Sequence, residues 1–469
     1  MAGPLHYQTI AEIGRAYRQG ALSPVEVTES QLDRIAALNP TLHAYVTVLA
    51  DQARTEARAA EAALAAGWDG SPLLGVPIGL KDLIDVAGVV TTAGSTFYDV
   101  IAETDAPLVH RLRRAGAVIL GKHQLFEFAG IGRHGTERHP VAKNPWALDR
   151  FPGGSSSGTG VAVAAGLCFA GIGSDTGGSI RMPAAYCGVV GLKPTYGLVP
   201  VAGSVPLAWS LDHLGPLTRS VEDAAIVLSA LAGYEPADPW SAREAADDYL
   251  RHLDRGVRGL RIGLPQDLFF SDEVDPEVLE AVRAAGAVFE GLGADVIAMR
   301  LPEAADCMDV VMRLIRIESA AFHEPLIREK GDQYPERLRS SIEEGMAASA
   351  VDYLRLKRER QRLRAAILAA FDVVDLLLTP SVPTPAPPLE AMRRPEAIRR
   401  VAWSAPHNIA GIPTVSVPCG FSSAGLPIGM NLAGRPFDDA LVLRAAAAYE
   451  RATTWHTYHP PLDEGVDFR

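Results

Sequence analysis

Cysteine is too scarce in this chain to build a framework. Cys168, Cys187, Cys307 and Cys419 stand far apart, with no CxxC pair and no Cys/His grouping at metal-ligand spacing, which argues against a disulfide scaffold or a zinc site. Long apolar runs are missing too, since no stretch reaches the ~18 uncharged residues of a membrane span. The amino terminus, MAGPLHYQTIAEIGRAYRQG, has no apolar core of a secretory signal, so a cytoplasmic location and no membrane partner are expected. Lys and Arg never gather into a phosphate-tracking stripe. With 56 acidic against 44 basic residues and a formal net charge of -12, nucleic acid is not an expected partner. The Arg-rich stretch from Arg355 to Arg364 reads as the solvated face of a long helix, with Glu359 among its cations.

What remains is a chain of 469 residues, 48% of them hydrophobic, enough to bury a large core. One large domain over 1–469 is the expectation, with a helical, more charged cover at about 234–400. Apolar residues recur at helical spacing from Ile10 to Tyr17 and from Val27 to Leu38, with Ser23 and Pro24 as cap and first-turn pair. An Ala-rich helix is expected over Asp51 to Ala66. Short strands then alternate with helices: Leu74 to Leu80, a helix from Leu108 to Ala115, Ala117 to Leu120, and later Leu260 to Leu264, Asp295 to Met299 and Val373 to Leu378. That alternation argues for an α/β fold.

Three segments stand out. GGSSSGTG, Gly153 to Gly160, has the composition of a flexible linker, yet the apolar small-residue run Val161 to Gly171 follows at once and has to be buried. No Lys follows Gly158, which removes the phosphate-binding loop. The GxSxG match at Gly154 to Gly158 lacks the preceding strand of a nucleophile elbow, because Leu148 to Pro152 reads as a turn. In GSDTGGSIR, Gly173 to Arg181, two glycines before a serine let successive N–H groups converge on one point, although a plain structural turn has the same composition. In GVPIGLKD, Gly75 to Asp82, one lysine ends an apolar run, as a snorkelling lysine also would.

Together, in order and spacing, these segments resemble the amidase signature family. Gly153 to Thr195 looks like that family's defining sequence almost throughout. The likeness extends to GVPIGLKD, to SLDHLGPLTRSVEDAA from Ser210, and to APHNIAGIPTVSVPCGF and GLPIGMNLAGRPFDDALVLRAAAAYE near the carboxyl end. It is weakest at about 234–400. Ser157 departs from the family's frequent Gly without touching a catalytic position.

The resemblance implies a large mixed, mostly parallel central sheet covered by helices on both faces. It makes Ser179 the nucleophile, Ser155 a bridging serine on a cis peptide and Lys81 the base. Backbone N–H groups of Thr176, Gly177, Gly178 and Ser179 would form the oxyanion hole. Phe126, Gly130, Ile131 and Trp403 would line the substrate pocket. No metal and no organic cofactor are implied.

The chemistry is consistent with these roles. A serine hydroxyl is a weak nucleophile until a base takes its proton, and none of the twelve histidines lies in the three segments. A solvated lysine, with a pKa of about 10.4, stays charged near neutrality; burial among Val76, Ile78 and Leu80 is expected to lower it. Asp175 and Arg181 are expected to form a structural ion pair. Retained Lys81, Ser155 and Ser179 argue against a catalytically silent scaffold. Gly130, Ile131 and Trp403 suggest an apolar or aromatic pocket, hence aryl amides, anilides, esters or carbamates. The alternative is the glutaminase component of a tRNA-dependent amidotransferase. The expected partner is a small-molecule amide, ester or carbamate, and a homodimer is compatible with the reading.

Overall fold

Thr9 and Ser23 open the two amino-terminal helices, Ile10–Arg18 and Pro24–Leu42. Each hydroxyl accepts the N–H of the third helical residue, Glu12 or Glu26, whose carboxylate returns to the cap N–H. These reciprocal bonds satisfy orphan donors of the first turn.

In the computed structural model, which describes residues 4–68, 70–130, 135–393 and 403–462, eleven strands among the described residues form one mixed sheet. Its spatial order is Tyr45–Val48, Val118–His123, Pro77–Lys81, Ala170–Asp175, His213–Thr218, Val190–Lys193, Thr414–Phe421, Pro427–Ala433, Leu376–Pro380, Arg261–Pro265 and Asp295–Met299. Parallel pairs join Val118–His123 to Pro77–Lys81 and Pro77–Lys81 to Ala170–Asp175. Parallel pairing returns at the far end, among Leu376–Pro380, Arg261–Pro265 and Asp295–Met299. The pairs between are antiparallel, as is the edge pair of Tyr45–Val48 with Val118–His123.

The expected strands are present, several starting one to three residues later than their sequence pattern. Tyr45–Val48, Ala170–Asp175, Val190–Lys193, His213–Thr218, Thr414–Phe421 and Pro427–Ala433 were not anticipated. Most of these are buried on both faces, so they show no alternation, and their Gly and Pro content mimics turns.

The Gly/Ser run is not a linker. Ser157–Ala164 is a helix buried at every position, and a Cβ on Gly158 would lie 2.3 Å from the Ala44 carbonyl oxygen, so only glycine permits that approach. Farther along the chain, Cys307–Lys330, Glu336–Met346 and Ala350–Ala369 pack together as long helices. Arg355, Arg358 and Arg362 face solvent, but Arg360 turns inward and is buried.

Candidate active site

Lys81 is the last residue of the strand Pro77–Lys81 and is fully buried. Strand alternation puts Ile78 and Leu80 on the opposite face. Its burial therefore comes from the serine turns stacked over it, and not from the apolar neighbours in sequence. Lys81 Nζ donates to Ser155 Oγ at 2.7 Å and to Ser174 Oγ at 2.8 Å. Burial pushes the amine down to about 7, while Asp175 and Asp212 pull it partly back up. A lysine so placed is largely uncharged just above neutral pH and can accept a proton.

Ser155 sits in the turn before the buried helix, and the Gly154–Ser155 peptide is cis. A Cβ on Gly154 would fall 2.3 Å from the Phe126 ring, which backs this turn. Ser156 stitches the turn to its neighbour: its Oγ donates to the Ser174 carbonyl at 3.1 Å and accepts Ser174 N–H at 3.2 Å. Ser156 N–H also reaches the Ser179 carbonyl at 3.3 Å. Among the described residues no hydrogen bond joins the hydroxyls of Ser155 and Ser179, although the chain segments that carry them are clamped together.

The loop after strand Ala170–Asp175 is organised by one carboxylate. Asp175 accepts from Gly178 N–H at 2.8 Å and Ile180 N–H at 3.1 Å, and from Arg181 Nε and Nη2 at 3.0 and 2.9 Å. Asn408, from the helix Ala405–Ala410, donates to it at 2.9 Å. Asp175 and Arg181 are wholly buried. Burial alone would raise the aspartate, but the charge and hydrogen bonds of Arg181, with Lys193 and Asn408, hold it far below the carboxylate range.

Gly178 has a φ of 131°, a conformation that glycine reaches most readily. Its N–H is committed to Asp175, which corrects the expectation that all four N–H groups face an oxyanion. Among the described residues the N–H groups of Thr176, Gly177 and Ser179 have no protein acceptor.

Beside this loop lies a cavity walled by Phe128, Gly130, Leu207, Met312, Ile315 and His323. A Cβ on Gly177 would sit 3.4 Å from Val311 Cγ1, so the helix that forms one wall also touches the proposed hole. His323 donates to or accepts from the Tyr334 hydroxyl at 2.8 Å and meets Phe128 edge-on. Burial pushes His323 down to about 4, leaving the ring neutral. The one cation on the wall among the described residues, Arg316, is partly exposed and paired with Glu344 at 3.3 Å. Phe128 carries a φ of 52°, a strained conformation for a bulky residue and one that clusters at functional sites.

Of the sequence candidates for a substrate pocket, Gly130 lies in the wall of this cavity. Phe126 instead packs on Phe151 and the Gly154 turn, and Trp403 packs on Phe269 in the core; neither is among the residues walling this cavity. Ile131 lies outside the described residues. Sequence reasoning missed Ser174, Asp212 and Asn408. Ser174 lies inside the glycine-rich segment, but only strand alternation, which puts it on the lysine side of the sheet, could have flagged it. Asn408 comes from more than two hundred residues away, in a stretch that carries the family likeness but gives no sign of this contact. Among the described residues no three His, Cys, Asp or Glu side chains gather as metal ligands, and no helix is long and apolar enough to cross a membrane.

Comparison with known proteins agrees with this geometry. A family profile described as Amidase matches residues 26–443. The chain is 41% identical over 463 residues to an amidase of Pseudomonas putida, covering 97% of this chain and 98% of that one. It is nearly as similar to the A-type component of the Glutamyl-tRNA(Gln) amidotransferase of Roseiflexus sp. (strain RS-1), at 40% over 484 residues, covering 98% and 99%. A bacterial aryl acylamidase of the amidase signature family superposes with a TM-score of 0.87 at 29% identity, covering 97% of this chain and 98% of the other. With its sheet, its paired serine turns and its buried lysine, the chain belongs to the amidase signature family of hydrolases acting on C–N bonds.

Proposed function

We propose that this chain hydrolyses apolar or aryl amides through an acyl-enzyme on Ser179. Ser179 Oγ attacks the carbonyl carbon, and its proton passes through Ser155 to Lys81 as the new C–O bond forms. The oxyanion is met by N–H groups of Thr176, Gly177 and Ser179. The C–N bond then breaks, the amine leaves with the proton returned through Ser155, and water repeats the path to release the acid. A rotation of the Ser179 hydroxyl toward Ser155 completes the relay, since catalytic hydrogen bonds are commonly longer before substrate binds. The single observation that carries this reading is the Lys81 to Ser155 bond of 2.7 Å at a fully buried amine. No metal or organic cofactor enters, because the acyl group and protons move only between side chains, substrate and water.

The substrate class rests on the cavity, whose inner wall is apolar and aromatic with a neutral His323. Its lining matches the apolar character of anilides and other aryl amides, and aryl esters and carbamates present the same carbonyl. The second reading, a glutaminase component, is favoured by the similarity to the Glutamyl-tRNA(Gln) amidotransferase chain. Against it, the only charged wall residue among those described is already paired, leaving a zwitterionic head group without a counter-charge inside. A panel of acyl 4-nitroanilides, an aryl ester, an aryl carbamate and glutamine separates the two. The expected kcat/KM for the best aryl substrate exceeds that for glutamine by at least about 100-fold, the size of effect that an unpaired buried charge imposes. Glutamine turned over faster than every aryl compound would transfer the chain to the second reading.

A further inference from the structure

Asp212 reaches both halves of the site from a loop that the relay does not use. Its Oδ1 accepts the Thr176 hydroxyl at 2.6 Å, fixing the first residue of the oxyanion loop. Its Oδ2 accepts the N–H groups of Leu207 and Ala208 at 2.9 and 3.0 Å, and Leu207 walls the cavity. Two residues earlier, Ser210 is held by Glu318 at 2.9 and 2.7 Å, so the same loop is tied to the helix Cys307–Lys330 on the cavity's other side. One carboxylate therefore links a proposed donor for the oxyanion with the wall that receives the substrate.

We propose that Asp212 is a positioning residue, aligning the Thr176 N–H toward the developing oxyanion and supplying a negative charge that Lys81 feels across the site. The inference rests on the proposed relay. Its geometric half follows from the two anchors, since a carboxylate held by three donors cannot swing and neither can the Thr176 side chain bonded to it. Its electrostatic half follows from sign: an anion near an amine favours the charged amine. Asp212 bonds Thr176, Leu207 and Ala208 and feels the charge of Glu318 on the helix, while the charges of Asp175 and Asp212 both act on Lys81. Burial and Glu318 raise Asp212 to about 6 against the pull of Thr176 and the two N–H groups, so its charge is present on the alkaline side of that value.

The two halves separate experimentally with a fluorophosphonate probe, which needs no knowledge of the natural substrate. Ser179 Oγ forms the O–P bond, fluoride leaves, the proton goes through Ser155 to Lys81, and the phosphoryl oxygen takes the oxyanion's place. Thr176→Val cuts the tether and keeps the charge. Its maximal labelling rate is expected to fall about tenfold, less than the loss of a whole donor, with half-saturation unchanged within about twofold and the pH limb in place. Asp212→Asn keeps acceptors for Leu207 and Ala208 but removes the charge. Its rising limb is expected to move to lower pH by about half a pH unit, which a purely structural role would not produce.

A limb that stays put in Asp212→Asn, or a wild-type labelling rate in Thr176→Val, overturns the proposal. Should Asp212→Asn fail to fold, Thr176→Val decides it alone. Ser179→Ala run beside them distinguishes the two levels: labelling that persists there refutes the relay itself, whereas an unlabelled Ser179→Ala with unaffected Thr176 and Asp212 variants refutes only this inference.

Discussion

Replacing Lys81 with methionine is expected to lower amide turnover at pH 8 by about 10³- to 10⁶-fold, the range seen when one member of a catalytic unit is removed, while the chain stays folded. Among the described residues, the amine is the only group bonded to the Ser155 hydroxyl that can take a proton; Ser174, the other partner of the lysine, is itself a hydroxyl. In the wild type, turnover should rise through about pH 7, where burial has placed the amine, because the neutral form is the active one.

Stability carries the opposite signature. The folded-state value lies below that of an unfolded lysine, so the unfolded chain binds the extra proton between about 7 and 10.4. The resulting destabilisation is full below about pH 7 and is relieved as pH rises toward 10.4. Lys81→Met should therefore gain stability relative to wild type at pH 6 and lose that advantage at pH 9.5. Thermal melts at the two pH values, beside kcat, check both halves; a variant that keeps more than a tenth of wild-type turnover would remove lysine from the mechanism.

Asp175→Ala is expected to cost about 3 to 5 kcal/mol, the consequence of leaving a buried partner uncompensated, and to abolish turnover. Arg181 has no exposure, and its other recorded partners, Asn408 and the Ser404 carbonyl, are neutral. The same carboxylate fixes Gly178 and Ile180 on either side of Ser179, so its loss frees the loop of the proposed nucleophile. Because Asp175 is held far below its unfolded value, its contribution is fully present above about pH 4 and fades only as pH falls toward the folded value. The stability gap between wild type and Asp175→Ala, measured by denaturant unfolding, should persist from pH 5 to pH 8, changing there only through Lys81 and Lys193, whose amines Asp175 helps to hold up. A gap under about 1 kcal/mol, the worth of an exposed pair, would show that Arg181 finds another anion.

Much of the site was legible because it is local. Lys81, Ser155 and Ser179 each sit in a short segment whose glycines and small residues announce close backbone approach, and the Asp175 to Arg181 pair lies within one turn of chain. The depressed amine was legible in direction, though its cause was misplaced: Ile78 and Leu80 share the strand with Lys81 but face away. What escaped is what long-range folding brings in. Asn408 joins Asp175 from the carboxyl-terminal half, and the helix Cys307–Lys330, in the stretch with the weakest family likeness, supplies much of the cavity wall. Trp403 and Phe126 show the converse, since an aromatic near a site in sequence is as readily spent on core packing as on substrate. The doubly buried strands escaped for a simpler reason: residues covered on both faces have no period to read.

Lys81 can be observed directly in protein labelled with ¹³C at the lysine ε-carbon. The account predicts a resonance that titrates near pH 7 and disappears in Lys81→Met. Lys193, which burial and the neighbouring Arg181 also push down to about 7, supplies a second signal that remains in the variant. A Lys81 signal that stays in its charged position up to pH 10 would contradict the account, because a charged amine cannot take the proton of Ser155.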